Sequence, residues 1–334
     1  MNVRMWGRAL IAIQRVDRAA WLKLDLVSRW LIAARASVLV ITFISVAIAG
    51  LLAIRTGRFD PALWALTALA LVLAHATNNL LNDLTDHLKG VDKNNYFRAI
   101  YGPHALEHRL LSVRGLLAYA AFSGLIALGI GAYLVSVRGP LALALLAAGA
   151  VFVLFYTWPL KYIGLGEVAV ILVWGPLMIG GAYFVVTGVW DWDVVLVGLP
   201  YALGATTVIF GKHIDKLDDD RSRGIHTLPV LVGERAARWI IGAMIVLMYG
   251  IVVYLVAIAF LTPVVLVVFL ALPKARTALS MYAKPRPRER PEHWPALAWP
   301  LYFVRAAFVH NRRFGLLFLV GLAADVALRL LLPT

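Results

Sequence analysis

The stretch from Pro61 to Asp92, PALWALTALALVLAHATNNLLNDLTDHLKGVD, decides how the whole chain is read. Its first part, Pro61 to Leu81, is an almost unbroken apolar run of the length needed to cross a bilayer core about 30 Å thick, which takes roughly 20 residues of helix. Its second part is the opposite in character, with Asn78, Asn79, Asn82, Asp83, Asp86 and Asp92 crowded at one helix end. Ionisable side chains in or beside a membrane helix are costly to place, so their presence signals function before it signals anything else.

The rest of the chain shares this solvent. Of 334 residues, 62% are hydrophobic, whereas a soluble domain has roughly 45–50%. Eight further apolar runs meet or approach the same length: Ala36 to Ile54, Leu116 to Val137, Leu141 to Thr157, Val168 to Thr187, Val194 to Gly211, Trp239 to Leu261, a short one from Pro263 to Leu272, and Phe314 to Leu332. The expected fold class is all-α: a polytopic membrane helical bundle of about nine transmembrane helices around a central cavity.

Charge sets the sides. The net charge of +14 does not mark a nucleic-acid binder, because the basic residues lie between apolar runs and form no soluble face. With the spans above, all of the 32 Lys and Arg residues except Arg55, Arg58, Arg138 and Arg329 fall on one side. By the positive-inside rule that side, with the N-terminus, is cytoplasmic. Residues 1–33 mix Arg and Lys with Trp6, Leu10, Ile13 and Val16 in the manner of an amphipathic interfacial helix, without the compact apolar run of a signal peptide. Residues 34–334 form one membrane domain, whose longest irregular connection is the Pro-rich stretch KPRPRERPEHWPALAWP from Lys284 to Pro300. The chain has no cysteine, so any metal must bind oxygen or imidazole.

A second acidic cluster, KHIDKLDDD from Lys212 to Asp220, follows the sixth run, and the even numbers of the two spans place both clusters on the same face. Asn82 and Asp86 are one helical turn apart, as are Asp215 and Asp219, so each pair shares a helix face. Carboxylates so close need a counter-charge. Mg²⁺ suits them, since it takes one or two carboxylates and completes its shell with water and phosphate oxygens. Two such sites facing each other would grip a diphosphate.

At this point the residues resemble the UbiA superfamily of intramembrane prenyltransferases. NDLTDHLKGVD looks like the family's first motif, in the spacing found in the 1,4-dihydroxy-2-naphthoate polyprenyltransferase branch, and the segment from Tyr156 to Phe184, YTWPLKYIGLGEVAVILVWGPLMIGGAYF, resembles the same branch. DDDRSRGIHTLPVLVGE is similar to the tail of the second motif. Three departures stand out: the family's earlier aspartate falls on Lys216 while the carboxylate is at Asp215, His213 stands where Asn is common, and Arg35 precedes Ala36 instead of Pro.

The resemblance implies an Mg²⁺-dependent enzyme that ionises a polyprenyl diphosphate and joins the prenyl cation to a small aromatic acceptor, in a bacterial or archaeal cell membrane and in the menaquinone pathway. Asp83, Asp86, Asp92, Asp215, Asp219 and Asp220 are the expected metal ligands, with the choice among those of the second motif open. Asp86, Asp215, Lys89 and Glu167 are the expected catalytic residues; Asn78, Asn82, Lys93, Arg98, Tyr156, Lys161, Lys212 and Arg223 are expected to bind substrate. No oligomeric state follows. Two alternatives compete: a related transferase with another acceptor (hydroxybenzoate, haem, a glyceryl phosphate lipid or a sugar diphosphate), and a cation-coupled transporter. The latter predicts acids near the bilayer midplane rather than at helix ends.

Overall fold

A computed structural model describes residues 2–92, 104–292 and 294–331. Among these residues all regular structure is helical. Three short helices, α1 (Val3–Ile11), α2 (Arg18–Leu22) and α3 (Leu26–Ala33), precede α4 (Val40–Arg55), α5 (Pro61–Leu88), α6 (Val113–Arg138) and α7 (Pro140–Phe155). Then come α8 (Gly166–Thr187) and α9 (Trp192–Asp215), the short α10 (Leu217–Ser222) and α11 (Leu228–Val232), and finally α12 (Glu234–Ala257), α13 (Pro263–Tyr282) and α14 (Phe303–Leu331). Eight helices are long and apolar enough to cross a membrane, and α7 is a shorter apolar one, so about nine spans describes the bundle well.

Local chemistry sets the helix boundaries. Asp60 caps α5 by accepting from the N–H groups of Ala62 and Leu63, with Pro61 in the first turn where no donor is missed. Gly139, at φ 75, makes the tight reversal between α6 and α7 that residues with a Cβ resist. Within α8, Pro176 lacks an N–H, and the turns from Val173 to Gly180 relax into a π-helix. Two spans differ from expectation. The short eighth run continues as helix past Leu272 to Tyr282, and the last helix begins at Phe303 rather than Phe314. Hydropathy missed the first turns of α14 because they carry Arg305, His310, Asn311, Arg312 and Arg313.

The main core lies where α9 packs against α4, α12 and α14, around Ile48, Val197, Tyr201, Ile241, Phe314 and Phe318. At Gly211 an added Cβ would stand 2.9 Å from the backbone of Phe303 and Val304, so this glycine permits the close approach of α9 to the start of α14.

Three of the four basic residues on the sparsely charged side are built into the fold. Arg55 and Arg329 converge on Asp325, which is fully buried, at 3.8 and 3.5 Å, and both donate to the carbonyl of Phe260. Arg138 donates to the carbonyls of Val185 and Val186 at the end of α8. These guanidinium groups satisfy carbonyls at a helix end and in the loop between α12 and α13 that lipid cannot.

The N-terminal segment packs against the bundle through Trp21, and Asp25 ties it together by accepting from Asn2 N–H, Trp6 Nε1 and Ser28. The Pro-rich connection docks instead of hanging in solvent: Arg286 Nη1 donates to the carbonyl of Asp215 at 2.9 Å, and Trp294 lies against Tyr302 with ring centroids 4.9 Å apart.

Candidate active site

A cavity of about 780 Å³ opens inside the bundle. Its long wall is apolar, with Leu71, Leu128, Leu146, Val173, Leu177 and Val208 among the lining residues. One end is polar, formed by Arg35, Asn78, Asn79, Asn82, Tyr156, Lys161, Lys212, His213 and Arg305. Such a greasy barrel with a few converging polar groups is the form of a site for an amphiphile. Deeper in, His75 pairs with Thr42 Oγ1 at 2.7 Å and meets the edge of Trp174 at 5.5 Å.

The first acidic motif sits at the polar end because α5 stays helical through it to Leu88. Lys161 donates to both oxygens of Asp86, at 2.8 and 3.1 Å, from the loop between α7 and α8. Asn82 donates to Thr157 Oγ1 and Asp86 Oδ2, and Asn78 donates to the carbonyl of Val153. Arg35, in the left-handed region at φ 57, forms an ion pair with Asp83 at 3.3 Å and donates to Asn79. Asp92 is buried against His104 Nε2 at 2.7 Å. Lys89 is exposed and lies over the rings of Trp158 and Tyr162 at 4.9 and 5.3 Å.

In the second motif the carboxylates have other work. Asp215, at the end of α9, accepts from the N–H groups of Tyr302, Phe303 and Val304 at 2.9, 3.0 and 3.0 Å. It therefore caps α14: both oxygens of this expected metal ligand and catalytic residue accept from orphan helix-start donors. Asp220 is buried beside Lys216 Nζ at 3.4 Å. Asp219 is half-buried, and Asp218 is exposed with Arg221 3.9 Å away. Lys216, where the resemblance puts an aspartate, thus brings its own positive charge to this motif.

Tyr162 joins the two motifs. Its hydroxyl is pushed up to about 12, first by burial and then by the negative charges of Asp86, Asp220 and Asp92. That hydroxyl, and Arg223 Nη1, are buried without a hydrogen-bond partner among the described residues. Both groups can donate to an incoming phosphate oxygen. The donor set fits a hard cation that arrives with phosphate: Asp83, Asp86 and Asn82 share one helix end, and among the described residues no cluster of three or more His, Asp or Glu is preassembled.

Glu167, at the start of α8, does not reach Lys161. It is buried against His213 Nδ1 at 2.5 Å and accepts from Leu228 N–H. Lys93 and Arg98 lie outside the described residues. Sequence reasoning passed over Arg35, Thr157 and His104 as site residues. For Arg35 the available signal was a lone guanidinium at the mouth of an apolar span; for Thr157 and His104 none was visible, since their partners are 75 and 12 residues away.

Comparison with known proteins agrees with this architecture. The chain is 30% identical over 186 residues to a protein of Drosophila melanogaster named UbiA prenyltransferase domain-containing protein 1 homolog, covering 54% of this chain and half of that one. It is 28% identical over 230 residues to UbiA prenyltransferase domain-containing protein 1 of Danio rerio, covering 67% and 68%. A bacterial or archaeal membrane finds no support in these relatives, which are animal proteins. Two solved structures share the fold: a digeranylgeranylglyceryl phosphate synthase, with TM-score 0.59, 17% identity and 88% and 98% of the two chains covered, and a UbiA homolog from Archaeoglobus fulgidus bound to DMAPP and Mg²⁺, with TM-score 0.56, 13% identity and 86% and 98% covered. A profile of the UbiA prenyltransferase family matches residues 43–324, most of the chain and both acidic motifs, and the protein belongs to that family.

Proposed function

We propose that this protein transfers a polyprenyl group from its diphosphate to a small aromatic acceptor, of the 1,4-dihydroxy-2-naphthoate kind, and releases diphosphate. The observation that carries this reading is the cavity itself: an apolar barrel for a lipid chain, closed at one end by Asn82, Lys161, Arg35 and Lys212. The resemblance of Tyr156–Phe184 supports the naphthoate acceptor and menaquinone synthesis. The distribution of Lys and Arg supports a cytoplasmic N-terminus and site.

Heterolysis of the C1–O bond places negative charge on the leaving diphosphate, and this end of the cavity is arranged to receive it. Lys161 and Lys212 line that end with positive charge, Lys216 adds its own at the second motif, and Tyr162 and Arg223 hold donors that have no partner among the described residues and suit phosphate oxygens. Asp83, Asp86 and Asn82 would hold Mg²⁺ at the first motif, with Asp219 and Asp220 bordering the second; bound Mg²⁺ supplies Lewis-acid neutralisation of the diphosphate. Asp92, oriented by His104, lies close enough to raise the Tyr162 hydroxyl and belongs to the same rim. The apolar wall and Trp174 keep water from the allylic cation and offer it an aromatic face.

The test is acceptor-dependent release of diphosphate by purified protein in nanodiscs, with a labelled polyprenyl diphosphate, Mg²⁺ and a panel of aromatic acceptors. Release that requires one acceptor and is lost in Asp86→Ala supports the reading. Turnover with a non-aromatic acceptor keeps the chemistry and replaces the substrate; no release with any acceptor overturns it.

A further inference from the structure

In the proposed transfer the acceptor must give up a proton, and no carboxylate of the two acidic motifs is among the residues that line the cavity. Asp86 and Asp220 are held by ammonium groups, and Asp215 by backbone N–H. His213 is different. It lies in the cavity wall next to Lys212, with only 2% of its surface exposed. Its Nδ1 is 2.5 Å from Glu167 Oε1, and Glu167 Oε2 accepts from Leu228 N–H, which fixes the carboxylate between two helices. A carboxylate accepting on both oxygens makes Nδ1 the donor, so that in the neutral imidazole Nε2 carries the lone pair. Among the described residues Nε2 has no hydrogen-bond partner, and the residue faces the cavity.

We infer that the His213–Glu167 pair is the general base for the acceptor, an inference that rests on the prenyl-transfer reading. The acceptor it fits carries a hydroxyl conjugated with its nucleophilic carbon. His213 Nε2 takes the hydroxyl proton, and the freed electron pair is delivered through the ring to form the bond to prenyl C1. The C1–O bond breaks, with its electrons leaving on diphosphate. Shift of the ring hydrogen to oxygen restores aromaticity, and the proton on the imidazole, balanced by Glu167 meanwhile, passes to solvent as product leaves. This is the orienting role a buried carboxylate plays for a catalytic imidazole elsewhere.

The experiment uses the full-length protein in nanodiscs, with hydroxynaphthalene acceptors graded in hydroxyl pKa and a non-reactive prenyl thiodiphosphate to read binding. General bases contribute roughly 10²–10⁴-fold, so His213→Gln should lower turnover about 100-fold with a weakly acidic acceptor while thiodiphosphate binding changes less than about 3-fold. The deficit should shrink to less than about 10-fold once the acceptor is ionised at the assay pH, because the base is then no longer needed. Added imidazole should restore part of the turnover of His213→Ala. Glu167→Gln should fall in the same direction, and the double variant should be no slower than His213→Gln alone. An equal loss at every acceptor pKa, no rescue, or unchanged turnover would overturn the assignment. A parent protein that releases no diphosphate with any acceptor would instead sink the prenyl-transfer reading, and the base with it.

Discussion

The two acidic motifs look alike in sequence and do opposite things in the fold. At the first, Asp83 and Asp86 are buried and are held by the cavity-lining side chains Arg35 and Lys161, which come from other parts of the bundle. Side-chain ion pairs exchange partners without unravelling a helix. At the second, Asp215 is bound to three successive backbone N–H groups, so its charge is fixed to the start of α14. The lesson is that a carboxylate's neighbours, rather than its spacing, decide between chemistry and architecture.

The largest break in this comparison should come at the first motif. Asp86→Asn removes a charge that electrostatic catalysis needs, and turnover should fall about 10³-fold when assayed well below the unfolding midpoint, which drops as well because Lys161 loses its buried counter-charge. Asp215→Ala should show its main effect on stability. Charge-assisted hydrogen bonds contribute about 1.5–3 kcal/mol each, so losing the cap of α14 should destabilise the protein by about 3 kcal/mol or more, equally with and without Mg²⁺, in a thermal unfolding series. A melting point that Asp215→Ala lowers only in the presence of Mg²⁺ would return Asp215 to the metal site.

Smaller effects sharpen the contrast. Lys216→Ala leaves Asp220 buried without its ammonium, and weaker diphosphate binding by about 10-fold is expected from the loss of one charge-assisted contact. Measuring Mn²⁺ binding by electron paramagnetic resonance in Lys216→Asp should reveal added metal affinity at the second motif. Tyr162→Phe removes one orphaned donor and should raise KM for the prenyl diphosphate about 3- to 10-fold with kcat retained. Because its folded-state pKa is raised from 10.0 to about 12, Tyr162 favours the fold fully below pH 10.0, and that contribution is lost as pH rises through about 12. The stability difference between parent and Tyr162→Phe should accordingly be flat up to pH 10.0 and change only above it. Asp218→Ala, at an exposed site, should alter turnover less than about 2-fold.

Much of the fold was legible because bilayer physics writes itself into length and hydropathy. The spans, their order and the clustering of acids at one end follow from runs of apolar residues and the cost of charge in lipid. The boundaries that escaped were those set by partners distant in sequence. α14 starts early because Asp215 caps it, and a hydropathy window cannot register a hydrogen bond between residues 87 apart. Helical spacing puts Asp215 and Asp219 on one face but cannot say what that face meets, and Asp215 meets the start of α14.

What the sequence by itself determined was the solvent, the class of fold and the chemical kind of site, since these depend on composition and on short-range periodicity. Only the tertiary structure decided that Lys161 reaches Asp86, that Asp215 meets the start of α14, and that Glu167 pairs with His213. Those outcomes depend on which helices touch. In a bundle where every buried polar group must find a partner, contact between helices settles the pairing.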